Sequence, residues 1–195
     1  MSYREDINRL KLFNEKANRL LNTRFVQYIL SKGKISFQID AKKGEAVKIE
    51  KDVPDQDAID AFILTFRYFI QNNEQCSFGN LSKTYERQFV PEEIRKEYLR
   101  VRKQLNDYLD APSSIKIEIE GETPTRRRIL DVFIYGGLAH ANPKKKEIFD
   151  KWIRDPIIGP LLEFCFVSIL IKVLEVIRYV VGLNEKLLKK LEKQL

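Results

Sequence analysis

The most apolar part of the chain runs from Ile157 to Leu183 and has helical periodicity. At about 100° per residue, Ser168, Lys172, Glu175 and Arg178 form one narrow polar stripe. Because charges recur every turn or two and are costly in hydrocarbon, the stretch predicts a buried helix of a soluble protein and no membrane span. We expect other elements to cover its apolar positions, which are Leu162, Phe166, Ile169, Leu170, Val173, Leu174, Ile177 and Val181.

Helix signals mark other parts of the chain as well. The capping box Ser2-Tyr3-Arg4-Glu5 opens a first helix that is predicted to run to about Leu30. Further helices are predicted from Asp52-Val53-Pro54-Asp55 through the apolar face Ile59–Ile70, from Pro91 to Asp110, from Thr123-Pro124 to His140, and over Lys144–Arg154, which carries Trp152 inward. A leucine stripe continues the last helix through the tail, typical of a partner helix or a further core contact: Leu187, Leu188, Leu191 and Leu195.

Three short segments alternate with a period of two and predict strands, at residues 34–40, 46–51 and 115–120. We therefore predict a mainly α (α+β) fold. It is a single domain, 1–195, with five or six helices around Leu161–Val181 and a small three-stranded antiparallel sheet.

A length of 195 residues with 44% hydrophobic content suits one globular domain. The charged start of the chain does not resemble a signal peptide, so we expect a cytoplasmic protein. The net charge of +7 is concentrated at the two ends, because residues 1–50, 126–156 and 157–195 are basic and the middle is acidic. This asymmetry favours a polyanionic partner, such as RNA.

Two basic runs lie where helices are predicted to begin. Cations in a first turn face the positive end of the helix dipole, at about 0.3–1 kcal/mol each when exposed, so helix stability alone does not select them. A bound phosphate would favour cations at these positions, because the free N–H groups of the first turn and the cationic side chains bind it together. We predict nucleic-acid contacts at Arg126, Arg127, Arg128, Lys144, Lys145 and Lys146, with a solvated, solubilising patch as the alternative.

His140 is the single histidine and the one candidate general acid or base; its alternative is a packed side chain without a catalytic role. Cys165 lies within the apolar helix, where a thiol packs like other apolar groups. No nucleophile motif or phosphate-binding glycine loop is present. One His and two Cys are too few for a usual zinc ligand set, so we predict no metal, no cofactor and no conventional enzyme.

From Arg126 to the C-terminus, the chain resembles the HEPN group of helical proteins of toxin and defence systems, several of which cut RNA. The likeness rests on a late helical segment that ends in Leu138-Ala139-His140 before a polar, basic turn. The family signature places an Arg shortly before the His. The corresponding positions here are Phe133, Ile134 and Tyr135, so His140 alone matches.

The leading functional hypothesis is a non-catalytic helical domain that binds RNA or another polyanion through its basic surface. One alternative is a HEPN-like ribonuclease or toxin that uses His140. The other is a protein-interaction module, or a homodimer, formed through the C-terminal helix.

Overall fold

The computed structural model describes residues 3–23, 26–27, 90–113, 117–118, 121–131, 133, 147, 150–152 and 154–194. Four helices are defined within this part of the chain: α1 (Tyr3–Leu21), α2 (Glu92–Asp110), α3 (Arg126–Asp131) and α4 (Ile158–Glu192). Helix α4 contacts the other three, so the predicted central position of the apolar C-terminal helix is confirmed.

Helix α4 is a single helix of 35 residues. The Asp155 carboxylate accepts the backbone N–H groups of Ile157 and Ile158 at 2.9 Å each, which caps the start of the helix and lowers the pKa of Asp155. The four residues of the predicted polar stripe are all exposed, and the eight predicted core residues are all buried. The helix continues through the tail as predicted, and Leu187 and Leu191 are buried within the chain.

Helix α1 is confirmed, but it ends at Leu21, before the predicted end at about Leu30. Val26 and Gln27 are helical again beyond a turn at Asn22 and Thr23, and residues 28–30 lie outside the described part of the chain. The Thr23 hydroxyl donates to the carbonyl of Leu20 at 2.8 Å, and the Gln27 carboxamide donates to the carbonyl of Leu21 at 2.8 Å. These side-chain bonds help to satisfy carbonyl groups of the last turn of α1.

Helix α2 has both of its predicted boundaries. Pro91 precedes its first residue, where a missing N–H costs nothing, and Pro112 lies just beyond its end. Its apolar face matches the predicted pattern, with Tyr108 partly buried and the rest of the set buried: Ile94, Tyr98, Val101, Leu105 and Leu109.

Helices α1 and α2 both run antiparallel to α4, and buried polar side chains join the three. The Tyr98 hydroxyl of α2 donates to Asn184 Oδ1 of α4. Asn184 Nδ2 donates to Asn14 Oδ1 of α1 at 2.9 Å, and Asn14 Nδ2 donates to the carbonyl of Val181 at 3.4 Å. All three side chains are buried, so in this dry setting each hydrogen bond replaces one that water made in the unfolded chain.

The segment that connects α2 and α3 folds back on itself. Pro112 and Thr125 form an isolated antiparallel bridge, and the Arg126 N–H donates to the carbonyl of Ala111 at 3.1 Å. Gly121 has a φ of 81°, a conformation that glycine adopts without strain. The N-cap of α3 is Thr125 and not the predicted Thr123, because Thr125 Oγ1 accepts the Arg128 N–H at 3.2 Å.

The predicted sheet is absent from the described residues. Ile117 is buried and Glu118 is exposed, which keeps the predicted alternation, but neither belongs to a strand. The reason is that neither has a ladder partner in this part of the chain. The two strands predicted to pair with this segment, at 34–40 and 46–51, and the helix predicted over 59–70, lie outside the described residues.

Truncation of Leu170, which is fully buried in α4, should lower the free energy of unfolding by about 2–5 kcal/mol in the Leu170→Ala variant. The same substitution at Leu99, which is 43% exposed on α2, is the matched control and should cost well under half as much. Urea denaturation curves measure both. Equal losses in the two variants would contradict the central position of α4.

Replacement of Asn184 by Ala should remove the acceptor of the Tyr98 hydroxyl and the donor to Asn14 Oδ1 in a dry setting, at about 1–3 kcal/mol for each lost bond. A double-mutant cycle between Asn184→Ala and Asn14→Ala should give a coupling of at least about 0.5 kcal/mol, because the two amides are bonded directly. Additive losses would show that the amides act independently.

Candidate polyanion-binding surface

The predicted arginine run is the first turn of α3 and lies against the C-terminal end of α2. Each of its three side chains contacts another group of the protein. Arg126 donates to the carbonyl of Tyr108 at 3.1 Å, and its guanidinium lies 4.3 Å from the centre of the Tyr108 ring. Arg127 donates to Asp110 at 2.7 Å and to Asn106 at 3.1 Å. Arg128 is 3.7 Å from Glu122, and both of these side chains are largely exposed.

These contacts supply a structural reason for cations that the dipole of α3 disfavours. The last turn of α2 contains no basic residue of its own, although its carbonyl groups form the negative end of a helix dipole. Arg126 and Arg127 supply positive charge to that end from outside the helix. The stabilisation at α2 offsets the unfavourable position in α3, so phosphate binding is not the only explanation of the run.

Cys165 lies close to the place where α3 packs against the end of α2, and it is buried, as predicted. Its sulfur is 3.5 Å from the Ser113 hydroxyl, and burial raises the pKa of the thiol. A thiol that is neutral and dry is a poor nucleophile, which agrees with a packing role.

The other predicted site residues lie outside the described part of the chain. These are His140 and the second basic run, Lys144, Lys145 and Lys146. Trp152 is described, is 5% exposed and belongs to the core. Its burial agrees with its predicted inward position.

A second basic surface, which sequence reasoning missed, lies on the outer face of the C-terminal half of α4. It consists of five exposed cations that we call the α4 basic face: Arg178, Lys186, Lys189, Lys190 and Lys193. None of the five forms an ion pair with another described residue. The signal was present in the sequence, because these residues fall on one side of the helix opposite to the buried leucines.

Half of the sixteen cations elsewhere in the described residues form ion pairs within this part of the chain. The eight paired residues are Lys11, Arg19, Lys96, Arg100, Lys103, Arg127, Arg128 and Lys172. In the clearest case, Arg100 and Tyr179 both donate to Glu97, and these bonds, with a smaller contribution from the charge of Lys186, lower the pKa of Glu97 to about 2. The α4 basic face differs from the rest in that five cations without an ion pair among the described residues lie together on one side of a single helix.

A groove of about 460 Å³ lies beside this face, between α4 and the C-terminal end of α1. Its described lining contains the following residues: Asn18, Leu21, Asn22, Gln27, Arg178, Val181, Gly182 and Glu185. Gly182 is in the interior of α4, where glycine costs about 1 kcal/mol relative to alanine. A Cβ atom at this position would meet no heavy atom of the described residues within 4 Å, so packing within that part of the chain does not require the glycine.

Neither a metal site nor a membrane-spanning helix is found among the described residues. No group of three or more His, Cys, Asp or Glu side chains in this part of the chain is arranged to hold a metal ion. Among the described helices, none is both long and apolar enough to span a membrane, α4 included. Charged and polar residues on the outer face of α4 account for the second result.

Comparisons with known proteins give no relative. No protein-family model, curated protein or solved structure matches this chain.

Removal of the two guanidinium groups at the α2 junction, in an Arg126→Gln, Arg127→Gln variant, should lower the free energy of unfolding by about 1–3 kcal/mol. The variant loses a ring contact, a carbonyl bond and an ion pair. Arg102→Gln is the control, because Arg102 is exposed on α2 and forms no ion pair with a described residue. Thermal melts measure all variants; unchanged stability of the double variant would show that the run has no structural role.

Proposed function

We propose that this chain is a non-catalytic helical binding domain that binds RNA or another polyanion through its basic surface. The observation that supports the proposal best is the α4 basic face, whose cations have no ion-pair partner in the described part of the chain. Charges that stabilise a fold are normally paired within it or placed at a helix end. Lys189 and Lys190 occupy the last turn of α4, but Arg178 and Lys186 do not.

The dimensions of the α4 basic face suit an extended polyanion. From Arg178 to Lys193 the helix rises by about 22 Å at 1.5 Å per residue. A nucleic-acid duplex carries one phosphate per strand for about every 3.4 Å of its axis, so this length spans several consecutive phosphates. Lysine ammonium groups contact phosphates as point charges and do not read bases, so binding should be nearly independent of sequence.

The predicted runs enter this proposal in different ways. Lys144, Lys145 and Lys146 stay predicted phosphate contacts. Arg128 is available for the same role, because its contact with Glu122 is long and exposed. Direct phosphate contact by Arg126 and Arg127 would require them to exchange their bonds with α2.

The two alternatives have less support. The HEPN-like ribonuclease stays a prediction that rests on His140, which is not among the described residues. A protein partner or second copy on the C-terminal helix could not use Leu187 and Leu191, because both are buried in the core of the chain. Of the other two leucines of the predicted stripe, Leu188 is partly buried and Leu195 lies outside the described residues.

Replacement of Lys186, Lys189, Lys190 and Lys193 by Gln should weaken binding to a mixed-sequence single-stranded RNA pool. The slope of log affinity against log salt should fall by about 0.7 for each phosphate that the variant no longer neutralises. The matched control replaces four paired lysines, Lys11, Lys96, Lys103 and Lys172, by Gln, which removes the same net charge. It should change the affinity much less.

Fluorescence anisotropy over a range of salt concentrations measures both quadruple variants, and thermal melts verify that each is folded. Copurified nucleic acid, seen in the absorbance ratio before and after a high-salt wash, gives an independent indication of binding. Equal affinity losses in the two variants would show that only net charge matters. Cleavage of the RNA pool by the wild type, abolished by His140→Ala, would favour the ribonuclease instead.

A further inference from the structure

The groove between α1 and α4 has the features of a binding site for a small polar molecule. Its volume of about 460 Å³ is within the range of ligand sites in proteins. Most of the described side chains around it are polar, unlike the apolar lining of a typical drug-binding pocket. A ligand that fits it must therefore form hydrogen bonds and carry charge.

Gly182 indicates that the space over α4 is used. Glycine in a helix interior lowers helix stability, and among the described residues no neighbouring atom would contact a Cβ at this position. Glycine is the residue that lets a ligand approach a backbone closely. Gly182 lies between Arg178 and Glu185 in the lining of the groove. The space over Gly182 therefore has a charged group on each side.

The polar groups of the groove are available to a ligand. Arg178 and Glu185 form no ion pair with a described residue, and the carboxamides of Asn18 and Asn22 form no hydrogen bond in this part of the chain. Asn18 is in the last turn of α1, and Asn22 follows the end of the helix with its N–H donating to the carbonyl of Asn18 at 3.0 Å, so the two residues lie on the same side. Gln27 uses one of its amide hydrogens on Leu21, which leaves its oxygen as an acceptor.

Each group matches one part of a nucleotide. The planar guanidinium of Arg178 binds phosphate through two parallel hydrogen bonds. Carboxamides present a donor and an acceptor side by side, as base edges do. A carboxylate such as Glu185 accepts hydrogen bonds from ribose hydroxyls and would repel a second or third phosphate.

We propose that this groove binds a nucleoside monophosphate, as a unit of an RNA strand on the α4 basic face or as a free nucleotide. The inference rests on the proposed function, because Arg178 belongs to both the groove and that face. Arg178 binds the phosphate and Glu185 contacts the ribose. The carboxamides of Asn18 and Asn22 contact the edge of the base. The ligand occupies the space above Gly182.

The test uses calorimetric titration of the full-length chain with uridine and adenosine 5′-monophosphate, and with inorganic phosphate as the nucleoside-free probe. The wild type should bind a mononucleotide more tightly than phosphate. Gly182→Leu should weaken that binding about tenfold or more by filling the groove, while its melting temperature stays equal or rises. Arg178→Gln should also weaken it about tenfold, whereas Arg102→Gln, with the same charge loss, should not.

Any of three results would contradict the proposal that the groove binds a nucleotide. These are no mononucleotide binding by the wild type, equally tight binding of inorganic phosphate, or unchanged mononucleotide binding in both Gly182→Leu and Arg178→Gln. The same variants with the RNA pool separate the two proposals. If RNA binding falls in the Lys186, Lys189, Lys190, Lys193 variant but mononucleotide binding is absent, the groove fails and the polyanion surface stands. If mononucleotides bind and Gly182→Leu abolishes their binding while the wild type binds no RNA, the groove stands as a free-nucleotide site.

Discussion

The hydrogen-bonded contact of Tyr98, Asn184 and Asn14 controls how three helices pack together. Apolar burial holds α1 and α2 against α4, but it tolerates sliding, because one leucine contact resembles the next. The polar side chains do not tolerate it. A shift by one turn, about 5.4 Å, would leave each buried group unpaired at about 1–3 kcal/mol. The contact therefore sets the axial register of the three helices. The register in turn determines which residues meet at the groove and where α3 packs against the end of α2.

Charge in this protein follows the ends of its helices. Acidic residues occupy the first turns of α1 and α2, and lysines occupy the last turn of α4, as helix dipoles favour. The end of α2 lacks a cation and obtains two from α3, at Arg126 and Arg127. Cations with such structural tasks are weak evidence of a ligand. Arg178 lies at no helix end and forms no ion pair with a described residue, and for this reason we place recognition on the outer face of α4.

The sequence determined the helical class and the main burial pattern, because a period of 3.6 residues reports directly which side of a helix is dry. The polar stripe of α4, the buried face of α2 and both boundaries of α2 could all be predicted from local signals. The burial of Cys165 and Trp152 could be predicted for the same reason, since large apolar side chains and small thiols gain most from leaving water. The ligand, the site and the sheet at 34–40, 46–51 and 115–120 stay predictions.

Only the tertiary structure decided which polar groups meet. Asn14 and Asn184 are 170 positions apart in the chain and each is an ordinary polar residue of an amphipathic helix until the two are buried against each other. The role of Arg126 and Arg127 depends on the end of another helix, so a rule about their own helix dipole offered only a bound phosphate or a solvated patch as explanations. The early end of α1 was hidden for a similar reason, because hydroxyl and carboxamide caps at Thr23 and Gln27 act through three-dimensional contacts that periodicity does not record.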